Sequence, residues 1–264
     1  PSLVSLLQRR RLKQEAREAV VALGEPVIPT LVHFLNDPDE QPWVRRAIPK
    51  TLARIPSERV VLHLLEALPA EDDAFLRRKL LQALAALPAE SRATVPDEAV
   101  EAEIHHESRR YFRHLTLLCS LGSLQESEVV CGLVAWEADD PPLLDRLLAE
   151  RMEDSVSNLF GLLTLRYPAS DIRAAQRTMI AGSRTQRVHS LEFLDNTLDG
   201  KVKRDALLMI GDIPLPEKLR RARSLFGVEP TSKIDALHTI LTDTGDGDGV
   251  PLVAGALYKV RTEG

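Results

Sequence analysis

Aromatic residues are scarce in this chain: two Trp, three Tyr and six Phe, 4% of 264 residues. That scarcity argues against stacking platforms for bases, aromatic cages and large aromatic cores, and it favours seams of Leu and Ala between helices. Cysteine is almost missing as well. Cys119 and Cys131 both sit among apolar neighbours, with no second pair to build a zinc site or a disulfide framework, so a reducing compartment is the natural assignment. No apolar run approaches the roughly 18 to 20 residues that span a bilayer, and no charged start followed by an apolar centre marks a signal peptide. The formal net charge is −5, so the global positive field that non-specific nucleic-acid binding requires is absent too. These absences lead to an expected soluble, cytoplasmic chain with no metal, no cofactor and no nucleic-acid partner.

What the chain does have is a repeated amphipathic helix. Leu12 to Gly24, Trp43 to Ile55 and Phe75 to Leu87 follow one pattern, and each of the first two is followed by another apolar-periodic helix. Superposition places Leu23, Leu52 and Leu84 in one slot, at steps of 29 and 32 residues, and Arg45 and Arg77 in another. A period of this size marks stacked helix pairs, none of which can bury its apolar face without its neighbours. The expected fold class is all-α, a HEAT-like α-solenoid of stacked antiparallel helix pairs. Residues 1–87 read as N-terminal HEAT repeats, 88–98 as a connector and 99–264 as C-terminal helical repeats of one continuous solenoid.

Local signals set the boundaries. Glu25-Pro26 opens a helix through Leu35, Asn36-Asp37-Pro38-Asp39 closes it, Ser57 and Asp73 read as N-caps, and Pro49 lies inside a helix and is expected to kink it. Beyond the connector, helices are expected near Ala99, then over Glu107–Leu121, Glu126–Glu137 and Leu143–Arg166. The last carries one stripe of Leu144, Leu147, Leu148, Met152, Val156, Leu159, Phe160 and Leu163. Further helices follow over Asp171–Ala181, Thr185–Leu198, Val202–Ile210, Pro216–Phe226 and Ser232–Leu241. Pro251 to Tyr258 has the spacing of another repeat's first helix, without a partner. That end, with a start at Pro1 rather than Met, is the pattern expected of a segment of a longer polypeptide.

Two segments go beyond helix grammar: Val44-Arg45-Arg46-Ala47-Ile48-Pro49-Lys50-Thr51-Leu52-Ala53-Arg54-Ile55 and Ser190-Leu191-Glu192-Phe193-Leu194-Asp195-Asn196-Thr197-Leu198. With Asn158-Leu159-Phe160, Leu162-Leu163 and Tyr167-Pro168 in order between them, the chain resembles a bacterial HEAT-repeat family. In that family such a region follows a membrane domain similar to nucleotide translocases of the major facilitator type, and in many members a cyclic-nucleotide-binding domain comes after it. Val250-Pro251-Leu252-Val253 departs from the aromatic-Leu-Arg entry usual for that family's final repeat. The resemblance implies a cytosolic, non-enzymatic connector attached to a membrane protein. Its partners would be proteins or adjacent domains of the same polypeptide.

Charge is unevenly spread. Residues 1–24 carry Arg9, Arg10, Arg11, Lys13 and Arg17 against two acids, whereas residues 124–154 hold nine acids against Arg146 and Arg151. Arg46, Lys50 and Arg54, at i, i+4 and i+8, share a helix face. With Arg78 they are the candidate partner-binding residues, a cationic strip for an acidic peptide, a headgroup or a nucleotide. A ladder of Arg-to-carboxylate contacts between repeats accounts for Arg45 and Arg77 equally well. Asp195 and Asn196 interrupt an apolar run at Leu194 and Leu198, so they are expected to hydrogen-bond to the next repeat or to face a polar groove.

Other polar groups fit no chemistry. His105-His106-Glu107 with His114 lacks the His-Glu-x-x-His pattern, and Asp243, Asp246 and Asp248 lack the twelfth-position Glu of a calcium loop. No phosphate loop and no G-x-S-x-G elbow occur. The function expected is therefore an interaction and coupling scaffold. A freestanding adaptor for an acidic protein is the alternative, and a relative of HEAT-like DNA glycosylases or bilin lyases is a lesser one, the acidic balance and few aromatics weighing against the DNA-binding version.

Overall fold

The computed structural model describes residues 3–7, 9, 11–69, 71, 73–92, 94–124, 129–136, 140–242 and 249–263. The fold is an all-α solenoid, and the contacts divide it into two compact units, residues 1–100 and 101–264.

The first unit contains α1 (Leu3–Leu6), α2 (Lys13–Ala22), a 3-10 turn (Glu25–Val27) running into α3 (Ile28–Asn36), α4 (Pro42–Leu52), α5 (Glu58–Ala67), α6 (Ala74–Ala85) and α7 (Ala89–Arg92). Helices α2, α4 and α6 pack side by side as one layer, and α3, α5 and α7 form the other. The seam between layers is aliphatic. Ile28, Leu31 and Leu35 of α3 and Val60, Val61 and Leu64 of α5 meet Val44, Ile48 and Leu52 of α4 and Leu76, Leu80 and Leu84 of α6, all buried. Caps begin two of the helices as their residue types dictate: Ser57 accepts from the Arg59 amide, and Asp73 accepts from the amides of Phe75 and Leu76.

One slot of the repeat is corrected. Leu52 and Leu84 are fully buried, but Leu23 is 54% exposed, because α2 ends at Ala22 and Gly24 turns the chain with φ +67°. The buried residues of α2 are Ala16, Arg17 and Val20, which match Val44, Arg45 and Ile48 at a step of 28 residues rather than 29. Pro49 lies inside α4 and is buried there.

The second unit takes in α8 (Asp97–Ser120) from Glu101 onward, a hairpin of β1 (Val129–Val130) and β2 (Leu133–Val134), α9 (Leu143–Arg166), α10 (Ala169–Ala181), α11 (Arg184–Thr197), α12 (Gly200–Ile210), α13 (Leu215–Phe226), α14 (Lys233–Thr242) and α15 (Gly249–Glu263). The 24-residue α9 is its centre, packed by α10, α12, α15 and β2. Contact on several sides explains why Asp145, Ser155, Asn158 and Thr164 are buried along with the expected apolar stripe. Helix α8 is joined to α12 by a hydrogen bond from Ser108 to Met209 Sδ (3.1 Å), and to α13 by stacking of Phe112 on Phe226.

One expectation fails here. The helix expected over Glu126–Glu137 is replaced, in its described part, by the hairpin, with Val129 opposite Val134 and Val130 opposite Leu133. Cys131 (φ +53°) and Gly132 (φ +79°) are both left-handed, the backbone of a tight two-residue turn, and the β-branched valines suit the flanking strands. The terminal helix is packed on two sides. α15 packs on α14 and α9, Gly255 lies close against Leu144 and Leu147, and Lys259 forms a buried ion pair with Asp145 at 3.2 Å.

Candidate interaction surface

The layer of α2, α4 and α6 presents cations from all three helices. Lys13 and Arg17 stand one turn apart on α2, Lys50 follows Arg46 by one turn near the end of α4, Arg54 lies just past that end, and Arg78 and Lys79 are on α6. The Arg17 Nε donates to Thr51 Oγ1 (3.3 Å), which sets α2 against α4. Burial first, then the Arg17 and Lys50 charges, hold Lys13 below the usual lysine range. Lys79 is lowered by burial, then by Arg78, Lys50 and Lys13, and Arg17 by burial and Arg54. Lys79 of α6 therefore feels Lys50 of α4 and Lys13 of α2, and Lys13 feels Lys50.

Lys13, Lys50 and Arg54 are exposed, and none has an ion pair among the described residues. Lys79 donates to Gln82 (3.1 Å) and lies 5.1 Å from the centre of the Phe75 ring. Residues 1–100 hold 14 Lys and Arg against 14 Asp and Glu, so the strip is a segregation of charge within a neutral unit. The scarce aromatics join it: Trp43 is 57% and Phe75 47% exposed. The Trp43 Nε1 donates to Gln41 Oε1 (2.8 Å), and Phe75 carries Arg46 at 4.8 Å on its face.

The expected site residues divide. Lys50 and Arg54 stand in the strip, and Arg78 is half-buried beside Lys79. Arg46 is engaged instead: its Nε and Nη2 both donate to Asp73 Oδ2, at 2.9 and 2.6 Å, tying α4 to the cap of α6. Arg45 donates to the Leu35 carbonyl (2.8 Å) and pairs with Glu71 (2.7 Å), while buried Arg77 donates to the Leu68 carbonyl (2.6 Å). Lys13, Arg17 and Lys79 were missed as strip residues. The basic count of residues 1–24 was the signal for Lys13 and Arg17, but only the packing of α2 on α4 brings them to this face, and Lys79 comes with α6.

Asp195 and Asn196 are both exposed. Helix α11 is peripheral and buries Leu194 alone, so an apolar run in sequence did not mean a buried face. Asp195 pairs with Lys203 of α12 at 3.0 Å, whereas the Asn196 amide donates to Glu192 O of its own helix (2.9 Å). A groove of about 390 Å³ between α10 and α11 is lined by Asp171, Thr178, Gln186, His189, Ser190 and Phe193, among others, and neither Asp195 nor Asn196 lines it.

The remaining candidates stay without a site. His105 is tied to buried Asp205 (2.9 Å) and rests on Phe226. Among the described residues no group of three His, Cys, Asp or Glu is placed to hold a metal, and Asp243, Asp246 and Asp248 lie outside those residues. Burial pushes the Cys119 thiol up to about 11 and raises that of Cys131, the opposite of an activated nucleophile. No single described helix is long and apolar enough to cross a membrane.

Compared with known proteins, residues 1–85 match the family described as HEAT repeats. That span runs from α1 through α6, where the two layers and the paired roles of Arg45 and Arg77 recur. No curated protein and no solved structure matches the chain. Residues 1–85 thus form a HEAT-repeat region within an all-α solenoid.

Proposed function

We propose that this protein is a non-enzymatic interaction scaffold: a cytosolic HEAT-repeat module that couples parts of a larger, membrane-attached, transporter-like polypeptide. The observation that carries the scaffold reading is the run of cations across α2, α4 and α6, since stacked repeats present extended surfaces to partners. The membrane-attached context is supported by the resemblance at Val44–Ile55 and Ser190–Leu198. Small rotations between packed helices would relay a change at one end of such a stack to the other.

Fractionation of the source cells, with detection by an antibody against this segment, tests the reading. A band far heavier than 29.3 kDa in the detergent-soluble membrane fraction is the expected result. A band near that mass in the soluble fraction would overturn the coupling role. It would leave a freestanding adaptor for an acidic partner, a reading the strip itself favours because it needs no membrane.

A further inference from the structure

We infer that the cavity between α12 and α13 binds a small organic monocarboxylate with an apolar body. The inference goes beyond the scaffold reading and uses no residue of the strip. The cavity holds about 340 Å³, at the lower end of the ~300–1,000 Å³ of small-molecule sites, so it suits a compact ligand rather than a protein segment. Leu207 and Leu208 of α12, Ile213 of the connection and Leu225 of α13 form the apolar part of its lining. Lys203 and Arg204 of α12 and Arg221 of α13 form the cationic part. Positions 203, 204, 207 and 208 recur at helical spacing, so a single face of α12 supplies both chemistries. Such a lining is complementary to a molecule that carries an apolar body and a negative charge together.

The cations are anchored without being exhausted. Arg204 Nε donates to buried Asp205 (2.7 Å) and Arg221 Nε to Glu217 (2.6 Å), and neither guanidinium makes a further hydrogen bond among the described residues. With Nε committed, the edge formed by Nη1 and Nη2 remains on each fork, the geometry that takes both oxygens of a carboxylate. Lys203 gives one of its three donors to Asp195, at 3.0 Å. These anchors restrict the side chains before a ligand arrives, which lowers the ordering cost of binding.

The same anchors select a single charge. Hydrogen bonds from Arg220 and Arg221 hold the Glu217 carboxyl down to about 2, so it stays ionised. A dianionic phosphate would bring its second charge close to the carboxylates of Asp195, Asp205 and Glu217, whereas a monocarboxylate needs directional donors and little net charge. An uncharged ligand would cover the Nη groups without giving them an acceptor.

The test is a nuclear magnetic resonance titration of the whole chain, following the backbone amides, with octanoate, butanoate, octanol and inorganic phosphate. Octanoate is expected to give saturable shifts centred on α12 and α13. Octanol, which has the same apolar body without the charge, should bind at least tenfold more weakly. Butanoate should also bind at least tenfold more weakly, since each buried methylene is worth about fourfold. Arg221→Gln and Lys203→Gln should each weaken octanoate by about tenfold, while Arg223→Gln, at an exposed position of α13 outside the cavity, should leave it unchanged. The amide spectra show whether each variant is folded. Octanol binding as tightly as octanoate, phosphate binding more tightly, affinity indifferent to both Arg221→Gln and Lys203→Gln, or no saturable shifts at the cavity overturns the proposal. None of these outcomes touches the fractionation result on which the scaffold reading depends.

Discussion

Cations hold three of the helix junctions. Arg45, Arg77 and Lys218 each reach back nine or ten residues to a carbonyl at the end of the preceding helix: Leu35, Leu68 and Met209, at 2.8, 2.6 and 2.9 Å. Helix C-termini carry unsatisfied carbonyls and partial negative charge, so a cation there fills an orphan acceptor and fixes where the next helix starts. Replacing Arg77 by Ala should cost about 2–4 kcal/mol in urea denaturation, from the unpaired carbonyl plus the cavity. A loss under about 0.5 kcal/mol would contradict the role. Lys218 is 1% exposed, and burial lowers its pKa to about 8, with Cys131 and Asp212 opposing the shift. Between pH 8 and the ordinary value of 10.5 the unfolded chain binds more protons at this site, so its contribution to stability rises with pH and is lost as pH falls through 8. Wild type should therefore gain stability relative to Lys218→Met from pH 8 to 10, and parallel curves would refute the assignment. The shared slot of Arg45 and Arg77 was legible in the sequence. Their carbonyl partners were not, since a backbone acceptor leaves no mark on residue type, and Lys218 lies outside the aligned repeats.

Elements were legible where caps and period agreed and illegible where local chemistry overrode the pattern. The valines of 129–134 satisfied a helical spacing, yet Gly132 and its turn make a hairpin whose tip abuts α9 and α12. A Cβ at Gly132 would meet Val156 Cγ2 at 3.1 Å and the Met209 carbonyl at 3.2 Å, at φ +79°. Gly132→Ala should accordingly destabilise the protein by about 1–3 kcal/mol, read from the thermal midpoint. An unchanged midpoint would mean the tip is not packed there. At the α5–α6 junction, Asp73 has two tasks, capping α6 and pairing with Arg46. Asn retains the capping oxygen, so Asp73→Asn should cost less than Asp73→Ala, for which about 1–2 kcal/mol is expected. Equal costs would assign the stabilisation to the ion pair. Leu23 was misplaced for a related reason: Gly24 ends α2 early, and a one-residue change of step moves a side chain off the core face.

For the whole molecule, the repeat period was enough to predict an all-α solenoid, because a 28-to-32-residue step with alternating apolar faces has few other ways to bury its surface. The interaction surface was half legible. Lys50 and Arg54 were found from i, i+4 spacing on one helix, but the strip exists because three helices align, and alignment across repeats depends on packing. Arg46 shows the converse, since its helix position fits the strip while Asp73, 27 residues away, takes its charge. The most direct measurement is cross-linking of the native protein in its source cells with a carbodiimide, which joins lysine amines to carboxylates, followed by mass spectrometry. Links from Lys13, Lys50 and Lys79 to acidic stretches of one protein, or of one further domain of the same polypeptide, are the predicted result. Partner links confined to lysines of the second unit, such as Lys201 and Lys233, with none from the strip, would contradict the account.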